Sequence, residues 1–247
     1  VLQAVSYEFQ SKLGNLLGKR TYQYFLVANG IIGPVLLGAA VATFFNGSNF
    51  VVSKGNITQE AMPVISQWAN GWHGLDALLD LWNVVLGLAV LFLSRCLGIL
   101  YFINNVSDAE LLQRFRRRLM IESVCFVVFF VPFVIYVLLK DGFAVDAASG
   151  SIVMESYKYL HNLMAMPWVL GLLLLGVVAV LFGLGRSILC STYNKGIWFA
   201  GVGTVLAVLA LLLTVGYNNT AYYPSAADLQ SSLTLSNSCS SLFTLKT

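Results

Sequence analysis

Five stretches of this chain, at about 22–45, 74–103, 119–139, 162–185 and 197–216, are each about twenty or more residues long and almost free of charge. A bilayer core about 30 Å thick takes about 20 residues of helix to cross. An open strand would leave its backbone donors and acceptors unpaired in hydrocarbon, so runs of this kind fold as helices. The expected fold is all-α: one polytopic transmembrane helix bundle over 1–247, with five spans and a polar tail at 217–247. Composition excludes the alternatives. With 58% hydrophobic and only 10% charged residues, and a mean hydropathy of +0.78, a soluble globule could not cover its surface. Disorder requires the opposite bias.

The segments between the spans alternate in charge, which gives an expected orientation. Lys12, Lys19, Arg20, Arg114, Arg116, Arg117, Arg118, Arg186 and Lys195 fall on one side; Lys54, Lys140, Lys158 and Lys246 fall on the other. Cations in short loops stay on the cytoplasmic side. The chain start is therefore expected in the cytoplasm and the tail outside. A net charge of +3 is too small for a nucleic-acid surface. No secretory signal is visible; the chain opens on Val1 and has an odd number of spans. Both features suggest a piece of a longer protein. Cys96, Cys125, Cys190 and Cys239 form no CxxC or Cys/His metal spacing, so they are expected to be packing residues without metal or disulfide.

Small residues recur at Gly30, Gly33, Pro34, Gly38, Gly171, Gly176 and from Gly196 to Gly203, where they would let helix backbones approach. Few polar groups lie inside the runs. Asp76 and Asp80 stand four apart, on one face of a helical second span, with His73, Trp82 and Asn83 nearby. They read either as an external proton or cation port or as an acidic helix start at the interface. Arg95 is deeper, and a lone Arg at mid-helix costs about 3 kcal/mol on insertion scales. Glu122 on the third span is the carboxylate at comparable depth, and a pair between the two is a hypothesis that the sequence raises. His73 and His161 fall near the external boundary, too shallow for intramembrane haem ligation. Met62, Met154, Met164 and Met166 cluster there too and read as packing. The run Gln113–Leu119 can bind anionic headgroups, or simply hold its loop in the cytoplasm. No nucleotide-binding or hydrolase motif occurs. Catalytic, cofactor-binding and metal residues are therefore assigned to none, with Asp76, Asp80, Arg95 and Glu122 as the polar candidates.

The opening VLQAVSYEFQSK, the Gly/Pro-containing span TYQYFLVANGIIGPVLLGAAVATFFNG and the tail YYPSAADLQSSLTLSNSCSSLFTLK resemble subunit II of cytochrome bd quinol oxidases. In the tail the resemblance is carried by Tyr223, Pro224, Ser232, Leu233, Thr234, Ser240, Ser241, Thr244 and Leu245. Where many members of that family carry Arg, this chain has Gln3 and Gln10.

The resemblance implies a nine-span subunit from which the first three spans and the last are missing here. It also implies a bacterial plasma (inner) membrane location and a role in aerobic respiration, where quinol passes electrons to dioxygen. Haems b and d and the quinol-oxidising loop would belong to the partner, subunit I; the other partners expected are membrane lipid and quinone. The WDGNQVW motif associated with proton delivery falls outside this chain, so no catalytic residue carries over. The alternative is a fragment of a secondary transporter, which would show inverted repeats and broken helices with polar groups at the midplane. A purely structural membrane anchor is a third reading.

Overall fold

The computed structural model describes residues 2–12, 17–53, 65–146 and 148–234. Lys54, Met62, Cys239, Lys246 and the tail beyond 234 lie outside the described residues. Among the described residues five helices are long and apolar enough to cross a membrane: α2 (Lys19–Asn46), α3 (Leu81–Asn105), α4 (Ala109–Leu139), α6 (Pro167–Leu189) and α7 (Gly196–Leu213). Two eight-residue helices accompany them, α1 (Leu2–Phe9) before α2 and α5 (Lys158–Ala165) before α6. The chain is a polytopic helical bundle.

Helix ends depart from the apolar runs for local reasons. The second run begins at residue 74, but α3 starts only at Leu81. His73 and Gly74 have positive φ of 49° and 90°, and Leu75–Leu79 form a 3₁₀ turn. Asp80, in extended conformation, then accepts from the amides of Trp82 and Asn83 at 2.8 and 3.1 Å. This is the N-cap arrangement that Asp favours. The fourth run is interrupted at Met166, and Pro167 opens α6, where its missing N–H and fixed φ cost nothing. At its start α4 reaches back beyond the apolar residues to Ala109, because Asp108 caps the Leu111 amide at 2.9 Å.

The α3–α4 and α6–α7 hairpins form a four-helix core in which α3 lies against α7 and α4 against α6; α2 packs on α3, and α1 on α2. Leu100, Ile103, Leu119, Phe133, Val169 and Ala200 are among its buried residues. The bundle therefore has two distinct ends. The basic end carries the α3–α4 and α6–α7 connections. At the hairpin end, β1 (Phe50–Ser53) pairs antiparallel with β2 (Ile65–Trp68), and β3 (Gly142–Val145) with β4 (Ile152–Glu155). These strands, unforeseen in the sequence, are short polar-segment hairpins that change nothing in the helical class. The first part of the tail is folded onto them. Ser225 donates its hydroxyl to Phe50 O at 2.5 Å, Ser231 Oγ accepts from Val52 N at 3.0 Å, and the Gln230 amide bonds both N and O of Ile152 at 3.0 Å.

Only some of the expected glycines are at contacts. A Cβ on Gly38 would lie 2.7 Å from Gly87 Cα, one on Gly176 2.6 Å from Ala207 N, and one on Gly203 2.6 Å from Gly176 O. Around Gly30, Gly33 and Gly171 there is open space. In the full-length protein, Gly203→Leu should destabilise by about 1–3 kcal/mol through overpacking, read as a lower melting temperature in mild detergent. Gly171→Leu should leave that temperature unchanged.

Candidate functional site

Inside hydrocarbon a charge must find a counter-charge or leave. At the basic end, α3 and α4 run antiparallel from a three-residue connection, bringing residues 95 and 122 level. Arg95 Nη2 donates to Glu122 Oε1 at 2.6 Å. Glu122 is nearly sealed, with 5% of its side chain exposed, whereas 44% of Arg95 is exposed. Next to this pair Cys96 and Ser123 meet at 3.7 Å, and Phe102 stacks on Phe115. The hypothesised pair of these two charges is present in the structure.

Sequence reasoning missed the role of Arg116. Its guanidinium donates to the carbonyls of Ser187 and Cys190, of Ser191 and Tyr193, and to Asn194 Oδ1. These are the acceptors left over at the C-terminus of α6 and in the turn after it. The sequence shows Arg116 only as one of four arginines within residues 114–118, with nothing to distinguish it from its neighbours.

The hairpin end holds the other polar network. Lys140, just past α4, donates to Phe45 O at 2.9 Å and Asn46 Oδ1 at 2.8 Å. Asn46 Oδ1 also accepts from Tyr136 at 3.2 Å, and Asn46 Nδ2 donates to Asn83 Oδ1 at 2.7 Å. Tyr159 adds a hydrogen bond to Phe45 O at 3.2 Å. The last turn of α2 contains no basic residue, so a cation from α4 faces its carbonyl end, where the helix dipole favours positive charge. Burial pushes the Lys140 ammonium down to about 8, against the pull of Asp80 and Asp141. Lys140 entered the sequence argument only as an outer-side charge; two asparagines at span ends were the available signal for the network.

Asp76 and Asp80 do not share a helix face. Asp80 is the exposed cap of α3, and Asp76 lies one 3₁₀ turn earlier, 9% exposed. Asp76 Oδ2 accepts from the amides of Asn49 and Asn70, which hold its carboxyl below the usual carboxylate range. Asn70 Oδ1 accepts from Trp72 N at 3.1 Å, which fixes that amide with its donor side toward the carboxylate. The arrangement anchors two loops onto an ionised acid. His73 is exposed on the wall of a cavity of about 440 Å³ with Thr43, Trp68 and Tyr223. His161 is exposed and 3.5 Å from Glu155.

Between α3, α4, α6 and α7 lies an apolar groove of about 260 Å³, lined by residues such as Leu93, Phe126, Phe130, Val180 and Ala207, with Thr204 the polar side chain. Among the described residues no histidine, methionine or cysteine lines it. Among the described residues no three His, Cys, Asp or Glu side chains gather as a metal site.

Residues 1–247 match the sequence profile of the family described as cytochrome bd terminal oxidase subunit II, and the chain belongs to that family. No curated protein matches it.

Arg95→Leu should destabilise the full-length protein because it strands a buried carboxylate, and Glu122→Gln added to it should restore part of the loss. Chemical or thermal unfolding in detergent should give an interaction energy of at least about 1 kcal/mol; simple additivity of the two losses would disprove the pairing. For Lys140, the folded protein binds fewer protons than the unfolded chain between about pH 8 and the ordinary lysine value. Its contribution to stability therefore rises with pH across that window. The melting temperature of the wild type relative to Lys140→Met should climb from pH 8 toward pH 10.

Proposed function

We propose that this chain is the non-haem subunit of a quinol-oxidising terminal oxidase of the aerobic respiratory chain, supporting electron transfer from quinol to dioxygen that takes place in a haem-bearing partner subunit. The observation that carries this reading is the family match over residues 1–247. In this reading haems b and d are held by the partner, subunit I, and quinol is the substrate of the complex.

The chemistry left to this chain is that of a dry neighbour. Its core removes water and mobile protons from one flank of the partner's redox centres, where a low dielectric tunes potentials and suppresses proton leakage. The apolar groove between α4 and the α6–α7 hairpin suits a hydrocarbon tail, of a lipid or of a quinone. Arg95 and Glu122 serve as an interhelical tie, and Asp76 and Asp80 organise the entry into α3.

The charge pattern supports an orientation in the bacterial plasma membrane. The basic end, with Arg114, Arg117, Arg118, Arg186 and Lys195, would face the cytoplasm, together with the chain start. The hairpin end and the tail would lie outside. A transporter would need discontinuous spans near the midplane. Here α2 and α4 stay helical even through Pro34 and Pro132, which favours the oxidase reading.

The full-length protein purified in mild detergent should bring a haem-bearing subunit with it. Its reduced-minus-oxidised spectrum should contain both b-type and d-type haem bands, with quinol-dependent oxygen consumption. Purification as a stable protein without haem or oxidase activity would overturn the proposal.

A further inference from the structure

Arg95 carries five N–H donors in a fixed fork, and the pair with Glu122 uses Nη2. Nε and Nη1 have no partner among the described residues, and 44% of the side chain is exposed on a helix whose surroundings are hydrocarbon. An unfilled guanidinium there is costly, so an acceptor from outside this chain must complete it.

Position narrows what that acceptor is. The apolar part of α4 begins at Leu119, which puts Glu122 about 5 Å inside it, while on α3 Arg95 stands about 12 Å along the axis from Ile103, a gap that a long Arg side chain narrows by snorkelling toward the headgroups. Arg118, one turn nearer the basic end and about 6 Å along the axis from Glu122, is on the same side of α4. It is exposed and makes no ion pair or hydrogen bond among the described residues. The other arginines of the run are placed differently. Arg114 is paired with Glu110 at 2.5 Å, Arg116 is engaged by five acceptors around the end of α6, and Arg117 points about 100° away around the helix. Arg95 and Arg118 thus stand on adjacent helices, toward the basic end of the bundle, each with donors left open. Phe102, two turns along α3 from Arg95, and Ile121, three residues on from Arg118, are exposed and apolar, as acyl chains require.

We propose that the α3–α4 seam at the basic end is a binding site for an anionic phospholipid, whose phosphate is held between Arg95 and Arg118. Guanidinium forks match phosphate oxygens in geometry as well as charge, and two of them select an anionic headgroup over one whose own ammonium competes. The bound lipid fills the donors that Glu122 leaves open and thereby belongs to the packing of α3 on α4.

The test uses the full-length protein with whatever subunits it assembles with, delipidated in mild detergent and titrated with phosphatidylglycerol or phosphatidylcholine. Bound lipids are counted by native mass spectrometry. Wild type should retain phosphatidylglycerol in preference to phosphatidylcholine. Arg118→Gln should weaken that binding about fivefold, the effect of one basic residue at a headgroup, and Arg95→Gln combined with Glu122→Gln should weaken it at least as much. Arg117→Gln should bind as wild type does. Equal binding of the two lipids, or unchanged phosphatidylglycerol binding in the Arg118→Gln protein, would overturn the proposal. So would full displacement by inorganic phosphate, which would make this a site for a free anion. Should the double variant fail to assemble, Arg118→Gln decides alone, because it leaves the Arg95–Glu122 pair intact.

Discussion

Two apolar helices surrounded by lipid gain nothing hydrophobic by touching, because the lipid tails they displace are as apolar as they are. Everything in this bundle answers to that constraint. Cohesion has to come from close contact of backbones and from polar groups that have nowhere better to go. The first appears where Gly38 meets Gly87 and where Gly176 meets Gly203, positions with no room for a Cβ. The second appears at the two ends, where side chains satisfy the carbonyls that helices leave unpaired. Apart from the Arg95–Glu122 pair and its Cys96–Ser123 neighbour, the interior between the ends is mainly aliphatic and aromatic, with Thr204 as the polar side chain in the central groove. That distribution gives the bundle a dry middle and two structured rims.

The polar rims are built by borrowing. α2 ends without a basic residue of its own and takes Lys140 from beyond α4. α6 ends in a turn whose carbonyls take Arg116 from the start of α4. The end of α7 takes the amide of Asn162 from α5, which donates to Thr214 O and Tyr217 O at 2.9 and 3.2 Å. In each case a donor on one element terminates another, so the order of the helices is written into their ends as well as into their flanks.

The spans were legible in the sequence because a long run without charge has one solution in lipid. The depth match of Arg95 and Glu122 was legible for a related reason: each is the sole charge in its stretch of span, so each limits the other's choices. Helix starts were less visible. Asp76 and Asp80 have helical spacing, and only the left-handed His73 and Gly74 reveal that the chain is still turning there. The contact glycines could not be separated from the idle ones, since Gly171 and Gly176 look alike until α7 is placed beside them. Arg116 and Lys140 were hidden most completely. Their partners are backbone carbonyls, which every residue has and no sequence marks.

The two borrowed cations have one helix in common. Arg116 grips the end of α6 at one rim, Lys140 grips the end of α2 at the other, and the 24 residue steps from one to the other span about 36 Å. α4 therefore works as a calliper: the distance between its jaws fixes how far apart the ends of two other helices stand, and with that the thickness of the slab the bundle presents to a membrane. A length change inside α4 would not remain local. It would slide one rim against the other and offer the surrounding bilayer a protein of a different height.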